Sequence, residues 1–164
     1  MSRHPALLDE FLDRASLYTA PDKQVLQREL AQEVARLATD DLEAQMDALR
    51  YFKASQVLRV AASEIAGRLP LMKVSDNLTW IAEVILEQVL AVAWADLSRK
   101  YGEPRREGDG YGFAVFGYGK LGGIELGYAS DLDLVFVHDG ARGSTDGERS
   151  LDNTVFYMRL GQRM

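Results

Sequence analysis

The sequence predicts an α + α/β fold: a helical bundle followed by the beginning of an α/β domain. Apolar residues recur at helical spacing through roughly the first hundred positions. Beyond Gly112 the pattern changes to short, nearly continuous apolar runs, Phe113–Phe116 and Leu132–His138, separated by a glycine-rich segment. Two strands and one helix are too little for a free-standing α/β domain, so this second part is expected to be truncated. The expected division is 1–105 for the helical lead-in and 106–164 for the incomplete α/β domain.

Pro5 suits a first helical turn, with Leu7, Leu8, Phe11 and Leu12 as a short apolar face. Asp22 after Thr19-Ala-Pro marks a second start, and Val25, Leu30, Val34 and Leu37 follow it. A long helix is predicted from about Asp40 to Arg68, with Leu42, Met46, Leu49, Phe52, Leu58, Ala61 and Ile65 inward and Gly67 and Pro70 ending it. Ser75 and Asp76 offer an N-cap for another helix reaching Lys100, whose inward residues are Leu78, Ile81, Ile85, Val89 and Val92. Helices of this length form by packing apolar faces on one another. Tyr101–Gly112, with its Gly, Pro and Arg105-Arg106, reads as a connection. Thr145-x-x-Glu148 has the form of a capping box, followed by a helix facing inward through Leu151, Val155 and Met158.

Composition narrows the function. The chain has 164 residues, 47% of them hydrophobic, enough for a real core. Its net charge of −6 and pI of about 5.0 give no electrostatic footprint for nucleic acid. A polyanionic substrate then needs a local positive patch. Cysteine is absent, which excludes a disulfide framework. The N-terminus lacks the apolar core of a signal peptide, and Glu87, Gln88 and Asp96 interrupt the longest apolar stretches, so no membrane span is expected. A cytoplasmic location is the expectation.

The chemistry concentrates in Gly117–Asp133. Asp131 and Asp133 flank Leu132, and on a strand two residues apart share a face. Paired carboxylates beside a glycine-rich turn with free backbone N–H groups suit Mg²⁺ and nucleotide phosphates together. A Walker A loop fails: Ala114 stands where its first glycine belongs, and Leu121 follows Lys120. Gly117-Tyr-Gly119-Lys-Leu-Gly122 has dinucleotide-fingerprint spacing, but only Gly123–Ser130 separates it from the next strand, too short for a crossover helix. The third arrangement is that of a nucleotidyltransferase: Gly119-Lys120 ahead of Asp131-x-Asp133, with Lys120 where a serine is usual, as a point charge able to reach a β or γ phosphate.

Phe113-Ala-Val-Phe-Gly-Tyr-Gly-Lys-Leu-Gly-Gly-Ile-Glu-Leu-Gly-Tyr-Ala-Ser-Asp-Leu-Asp-Leu-Val-Phe-Val-His-Asp closely resembles the signature of the glutamine synthetase adenylyltransferase family. Leu69-Pro-Leu-Met-Lys-Val-Ser-Asp-Asn-Leu-Thr-Trp-Ile-Ala-Glu resembles the segment preceding that family's C-terminal, adenylylating copy of a duplicated catalytic domain, and Phe156-Tyr-Met-Arg-Leu-Gly-Gln-Arg resembles the helix following its paired aspartates. The resemblance covers nearly the whole chain. It implies a nucleotidyltransferase-type (polymerase-β-like) fold and transfer of AMP from ATP to a tyrosine of glutamine synthetase. By the same resemblance Asp131 and Asp133 ligate Mg²⁺ and the ATP phosphates, Gly119, Lys120, Gly122 and Gly123 line the phosphate turn, and Ser130 binds a phosphate or orients Asp131. The nitrogen-signalling PII protein is an implied regulator.

The superfamily's third metal carboxylate lies on a later strand, and Asp139, Asp146 and Asp152 come too early to supply it. The chain alone is therefore expected not to turn over. Two alternatives stand beside AMP transfer: phosphate-dependent removal of AMP from glutamine synthetase, and a non-catalytic regulatory or docking module. Glu125 is either a nucleotide-positioning group or a local partner, and Lys73 a group facing the nucleotide or solvent. His138 reads as a surface residue, and Trp80 and Trp94 as core or groove residues.

Overall fold

A computed structural model describes residues 20, 22–105 and 110–164. The elements are α1 (Lys23–Ala35), α2 (Leu42–Ile65), α3 (Leu71–Tyr101), β1 (Phe113–Tyr118), the single turn α4 (Gly119–Gly122), β2 (Asp133–His138) and α5 (Asn153–Arg163). The helix expected around Leu7–Leu12 and Arg106 of the connection lie outside the described residues. The architecture is mostly helical with a small antiparallel sheet, consistent with a helical region and part of an α/β domain.

The chain forms two compact units. The first gathers α1, α2, α3 as far as Ile85, and the loop Gly123–Asp131. Asp22 caps α1 as expected, its carboxylate accepting from the Val25 N–H at 2.9 Å. Asp41 caps α2 in the same way, accepting from Ala44 N–H at 2.9 Å. Gly67, at φ +67°, ends α2 in a left-handed cap, and Arg68 N–H donates back to Ser63 C=O.

The inward faces differ from the expected ones. In α1 Leu26 and Leu30 are buried, while Val25, Val34 and Leu37 are only partly covered. In α2 the buried stripe is Gln45, Leu49, Phe52, Ser55, Gln56, Val60 and Ser63, whereas Leu42 and Ile65 are exposed. Two of the buried polar residues have partners: Gln45 donates to Ala38 C=O at 2.7 Å, and Gln56 to Glu29 of α1 at 3.4 Å. Lys23 joins Glu83 at 2.8 Å, tying the start of α1 to α3.

α3 begins earlier than expected. Pro70 C=O accepts from Lys73 and Val74 N–H, so Leu71 opens the helix and Ser75 and Asp76 sit inside its second turn rather than at a cap. Leu78, Ile81, Val89 and Val92 are buried as expected, joined by Val74 and Val84. By length and composition alone α3 is apolar enough to cross a membrane, with a mean hydropathy of 1.5 over its most apolar window; Glu87, Gln88 and Asp96 do not prevent this. Its apolar positions pack the cores described here.

The second unit gathers α3 from Leu86, β1, α4 and the residues from Leu132 onward. β1 and β2 pair antiparallel, from Phe113 opposite His138 to Tyr118 opposite Asp133. Both strands alternate: Phe113, Val115, Leu134 and Phe136 are partly covered, while Ala114, Phe116, Val135 and Val137 are exposed. Each strand is therefore covered on one face only, although its nearly continuous apolar run would suit burial on both. The core is aromatic. Trp94 meets Phe156 edge-on at 5.2 Å, Tyr157 stacks on His138 at 4.5 Å, and Phe113 stacks on Phe136 at 5.5 Å. Trp94 is a core residue, as expected, and its Nε1–H donates to Glu103 at 3.3 Å.

Thr145 is not a helix cap. It is buried, its hydroxyl donates to Tyr101 C=O, and it accepts from Leu151 N–H at 2.9 Å. Asp152 caps α5 instead, accepting from Thr154 N–H at 2.8 Å. α5 faces inward through Asn153, Phe156, Tyr157 and Leu160, and Met158 is exposed. Asp96 is buried and gathers Arg99 at 2.9 Å, Lys100 at 2.8 Å and Arg163 at 3.3 Å. Burial alone would raise its pKa, but the hydrogen bonds from Lys100 and Arg99 and the charges of Lys100 and Arg163 together hold it below its usual value.

A carboxylate with a depressed folded pKa contributes stability above its unfolded value, here 3.8, and loses it as pH falls through the folded pKa. Asp96→Asn should cost about 1–3 kcal/mol at neutral pH. Urea denaturation should show that deficit shrinking below the unfolded pKa of 3.8; a deficit that persists undiminished in acid would assign the loss to packing.

Candidate functional site

β1 ends at Tyr118, and the chain turns through Gly119 into α4. Gly119 has φ +54°, and a Cβ there would stand 2.5 Å from Asp133 Oδ2. The backbone angle is what calls for glycine here, and its missing side chain lets the carboxylate lie against the turn. Gly122 is pressed as closely on the other side of the turn: its Cβ would lie 2.5 Å from Gly117 C=O. Leu121 is buried and pins the turn down, leaving Lys120 exposed. The structure thus brings Gly119, Lys120, Gly122 and Asp133 into one place at the end of the sheet.

Asp131 is held differently. β2 starts at Asp133, whose register partner Tyr118 is the last residue of β1. No strand remains for Asp131 to pair with, so it lies in the loop ahead of β2 and the period-two argument for a shared strand face does not apply to it. Asp131 and Asp133 are both exposed.

Gly123, Ser130 and Asp131 belong to the loop Gly123–Asp131. Leu126 anchors this loop by burial. Gly127–Ser130 is a closed turn: Ser130 N–H donates to Gly127 C=O at 3.1 Å, and Gly127 N–H donates to Ser130 Oγ at 2.9 Å. Ser130 therefore shapes the loop directly before Asp131. Ile124 stands at φ +58°, a left-handed conformation costing a β-branched residue about 1–3 kcal/mol. Tyr128 OH donates to Glu64 of α2 at 2.7 Å. Burial, then the hydrogen bond and charge of Glu64, push the phenol's pKa well up. Sequence reasoning missed this pair, since nothing in the local pattern links a helix residue to a loop so far along the chain.

Other residues considered from sequence are engaged elsewhere. Lys73 pairs with Asp76 at 2.7 Å. His138 is exposed and stacks on Tyr157. Asp146 accepts from Glu103 N–H at 2.8 Å, and Asp152 is a helix cap. Glu125 is exposed.

Mg²⁺ keeps several waters and takes one or two protein carboxylates together with phosphate oxygens. Among the described residues no cluster of three or more His, Cys, Asp or Glu is placed to hold a metal. Asp131 and Asp133 are each exposed and form no ion pair among those residues, so either carboxylate is open to an ion carrying its own water and phosphate ligands.

The family model for glutamate-ammonia ligase adenylyltransferase matches residues 1–164. The chain belongs to this family. Among curated relatives, the bifunctional glutamine synthetase adenylyltransferase/adenylyl-removing enzyme of Thioalkalivibrio sulfidiphilus is 55% identical over 170 residues, covering 100% of this chain and 18% of that protein. The like-named protein of Hahella chejuensis is 59% identical over 165 residues, covering 98% of this chain and 17% of its own length. That of Pseudomonas putida is 54% identical over 166 residues, again 98% and 17%. The chain thus spans under a fifth of the length of these relatives.

The two crowded glycines should respond differently to alanine. Asp133 can swing its carboxylate away from a new Cβ at position 119, so Gly119→Ala should cost about 1–2 kcal/mol, set by the backbone angle. At position 122 the obstacle is backbone, and Gly122→Ala should cost about 3 kcal/mol. Urea denaturation compares them, and equal losses would mean that α4 shifts bodily.

Proposed function

We propose that this chain is part of an enzyme that transfers AMP from ATP to a tyrosine of glutamine synthetase, with Asp131 and Asp133 binding Mg²⁺. One observation carries the assignment of the site: the left-handed Gly119 turn lies directly against the Asp133 carboxylate. A nucleotide triphosphate needs such a close backbone approach beside a metal ligand. The relatives' name supplies the reaction class and the protein acted on.

In this reading the tyrosine oxygen bonds to the α-phosphorus and pyrophosphate leaves. Lys120, exposed in the turn, meets the β or γ phosphate as a point charge. Gly122 and Gly123 let the chain approach the phosphates, and Ser130 holds the turn that sets Asp131. Mg²⁺, when bound, neutralises charge on the reacting phosphates. No side chain described here takes the role of a general base, and positioning with electrostatics carries the reaction. The nucleotidyltransferase fold, a cytoplasmic location and regulation by PII are parts of the same proposal.

The relatives' name also contains adenylyl removal, which defines the competing reading. Intact mass of glutamine synthetase subunits, after incubation with Mg-ATP and the full-length enzyme, separates the two. AMP addition that falls at least about a thousandfold with Asp131→Asn or Asp133→Asn is the expected result. Unimpaired addition, with phosphate-dependent removal lost instead, would assign this segment to the removing activity.

A further inference from the structure

We propose that Glu64 and Tyr128 form a latch that positions the loop carrying Ser130 and Asp131, making both of them positioning residues for the metal-binding carboxylate. This rests on the reading of Asp131 given above.

Between α4 and β2 the chain has no regular secondary structure to fix it. Leu126 is its only buried apolar anchor among the described residues. The turn Gly127–Ser130 is closed on itself by two hydrogen bonds, which set its shape but do not attach it to anything. Attachment comes from Tyr128, inside that turn, whose hydroxyl donates to the Glu64 carboxylate on α2 at 2.7 Å. Tyr128 is 48% exposed, so its ring is not held by a core and the hydrogen bond is what orients it. Glu64 itself sits at a fixed point: it is in the last turn of α2, and its C=O accepts from Gly67 N–H in the cap. A capped helix end is a rigid mount for a loop that must hold a metal ligand.

The geometry also explains the strained backbone. Ile124 is kept at φ +58° in the same loop, and such a conformation persists only where its surroundings over-determine it. Burial of Leu126 and the Tyr128 attachment, both within four residues after Ile124, supply that restraint. The raised phenol pKa agrees with a hydroxyl that stays protonated and donating at all physiological pH.

The experiment uses the full-length enzyme with Mg²⁺ and ATP. Tyr128→Phe removes only the hydroxyl. It should raise hydrogen exchange across residues 124–131 about tenfold and raise the Mg²⁺ concentration for half-maximal AMP transfer about tenfold, with kcat recovered at saturating Mg²⁺. Glu64→Ala should reproduce both changes, Glu64→Gln, which keeps an acceptor, should largely restore them, and the Tyr128→Phe/Glu64→Ala pair should not add. Unchanged exchange in Tyr128→Phe would overturn the latch. Raised exchange with an unchanged Mg²⁺ requirement would overturn its positioning role. Asp131→Asn, run in parallel, separates these failures from that of the underlying reading: if transfer survives it, Asp131 is not a metal ligand, and the exchange data alone then decide whether the latch exists.

Discussion

The packing of Tyr157 is the interaction on which the site-bearing part of this chain depends. A two-stranded sheet is marginal in water unless another element covers one face. Here α5 provides the cover. Tyr157 stacks on His138 and Phe113, residues that face each other across the ladder, and meets Phe156 edge-on. Its hydroxyl donates to Tyr111 C=O at 3.0 Å, fixing the chain just before β1. One fully buried side chain thus holds the entry to β1 and the exit of β2. Because the register between the strands is set, Tyr118 and Asp133 must meet at the far end of the ladder, and the Gly119 turn must fold beside the carboxylate.

The elements with a strong local signal were legible in the sequence. Asp22 caps α1 and Gly67 ends α2 because each satisfies backbone groups within a few residues of itself. The switch from helical to strand periodicity at Phe113 is equally local. Inward faces were less legible. Gln45, Ser55, Gln56 and Ser63 are buried while Leu42 and Ile65 are not, because helix packing, not hydrophobicity alone, decided which side of α2 is covered. The start of α3 was obscured by Ser75 and Asp76, which look like a cap; the Pro70 carbonyl had already begun the helix. Thr145 shows the same limitation, since its hydroxyl serves a partner across the unit and not the helix that follows. In the glycine-rich segment, the spacing puts Gly119 and Lys120 in a turn ahead of the paired carboxylates, and the structure sets Gly119 against Asp133. The place of Asp131 was not legible, since β1 runs out at Tyr118.

Charge is arranged so that an acidic chain still offers a local cation. The net charge is −6, which opposes a nucleotide at long range. Several cations are also engaged internally: Arg99, Lys100 and Arg163 surround Asp96, Lys23 faces Glu83, and Lys73 pairs with Asp76. Lys120 takes part in no ion pair among the described residues and stands exposed on a turn that Leu121 anchors. Its charge is therefore available to a ligand without breaking an ion pair. Exposed pairs such as Lys73 with Asp76 contribute little to stability.

Backbone conformation leads to the same segment. Within a few residues the chain contains Gly119 in a left-handed conformation, Gly122 against a carbonyl, and Ile124 left-handed despite its branched side chain. A turn whose only task was to join β1 to β2 would need none of these, because antiparallel strands can be connected by short relaxed loops. Glycine at 119 and 122 brings backbone close to backbone and to a carboxylate, and Ile124 bears its own strain in the loop that follows. These costs are local, whereas the stability that sustains them comes from the aromatic core around Tyr157 and from the buried stripe of α2. Strain supported from elsewhere in this way is common where a backbone must meet a ligand, and it favours a binding role for the turn over a purely connective one.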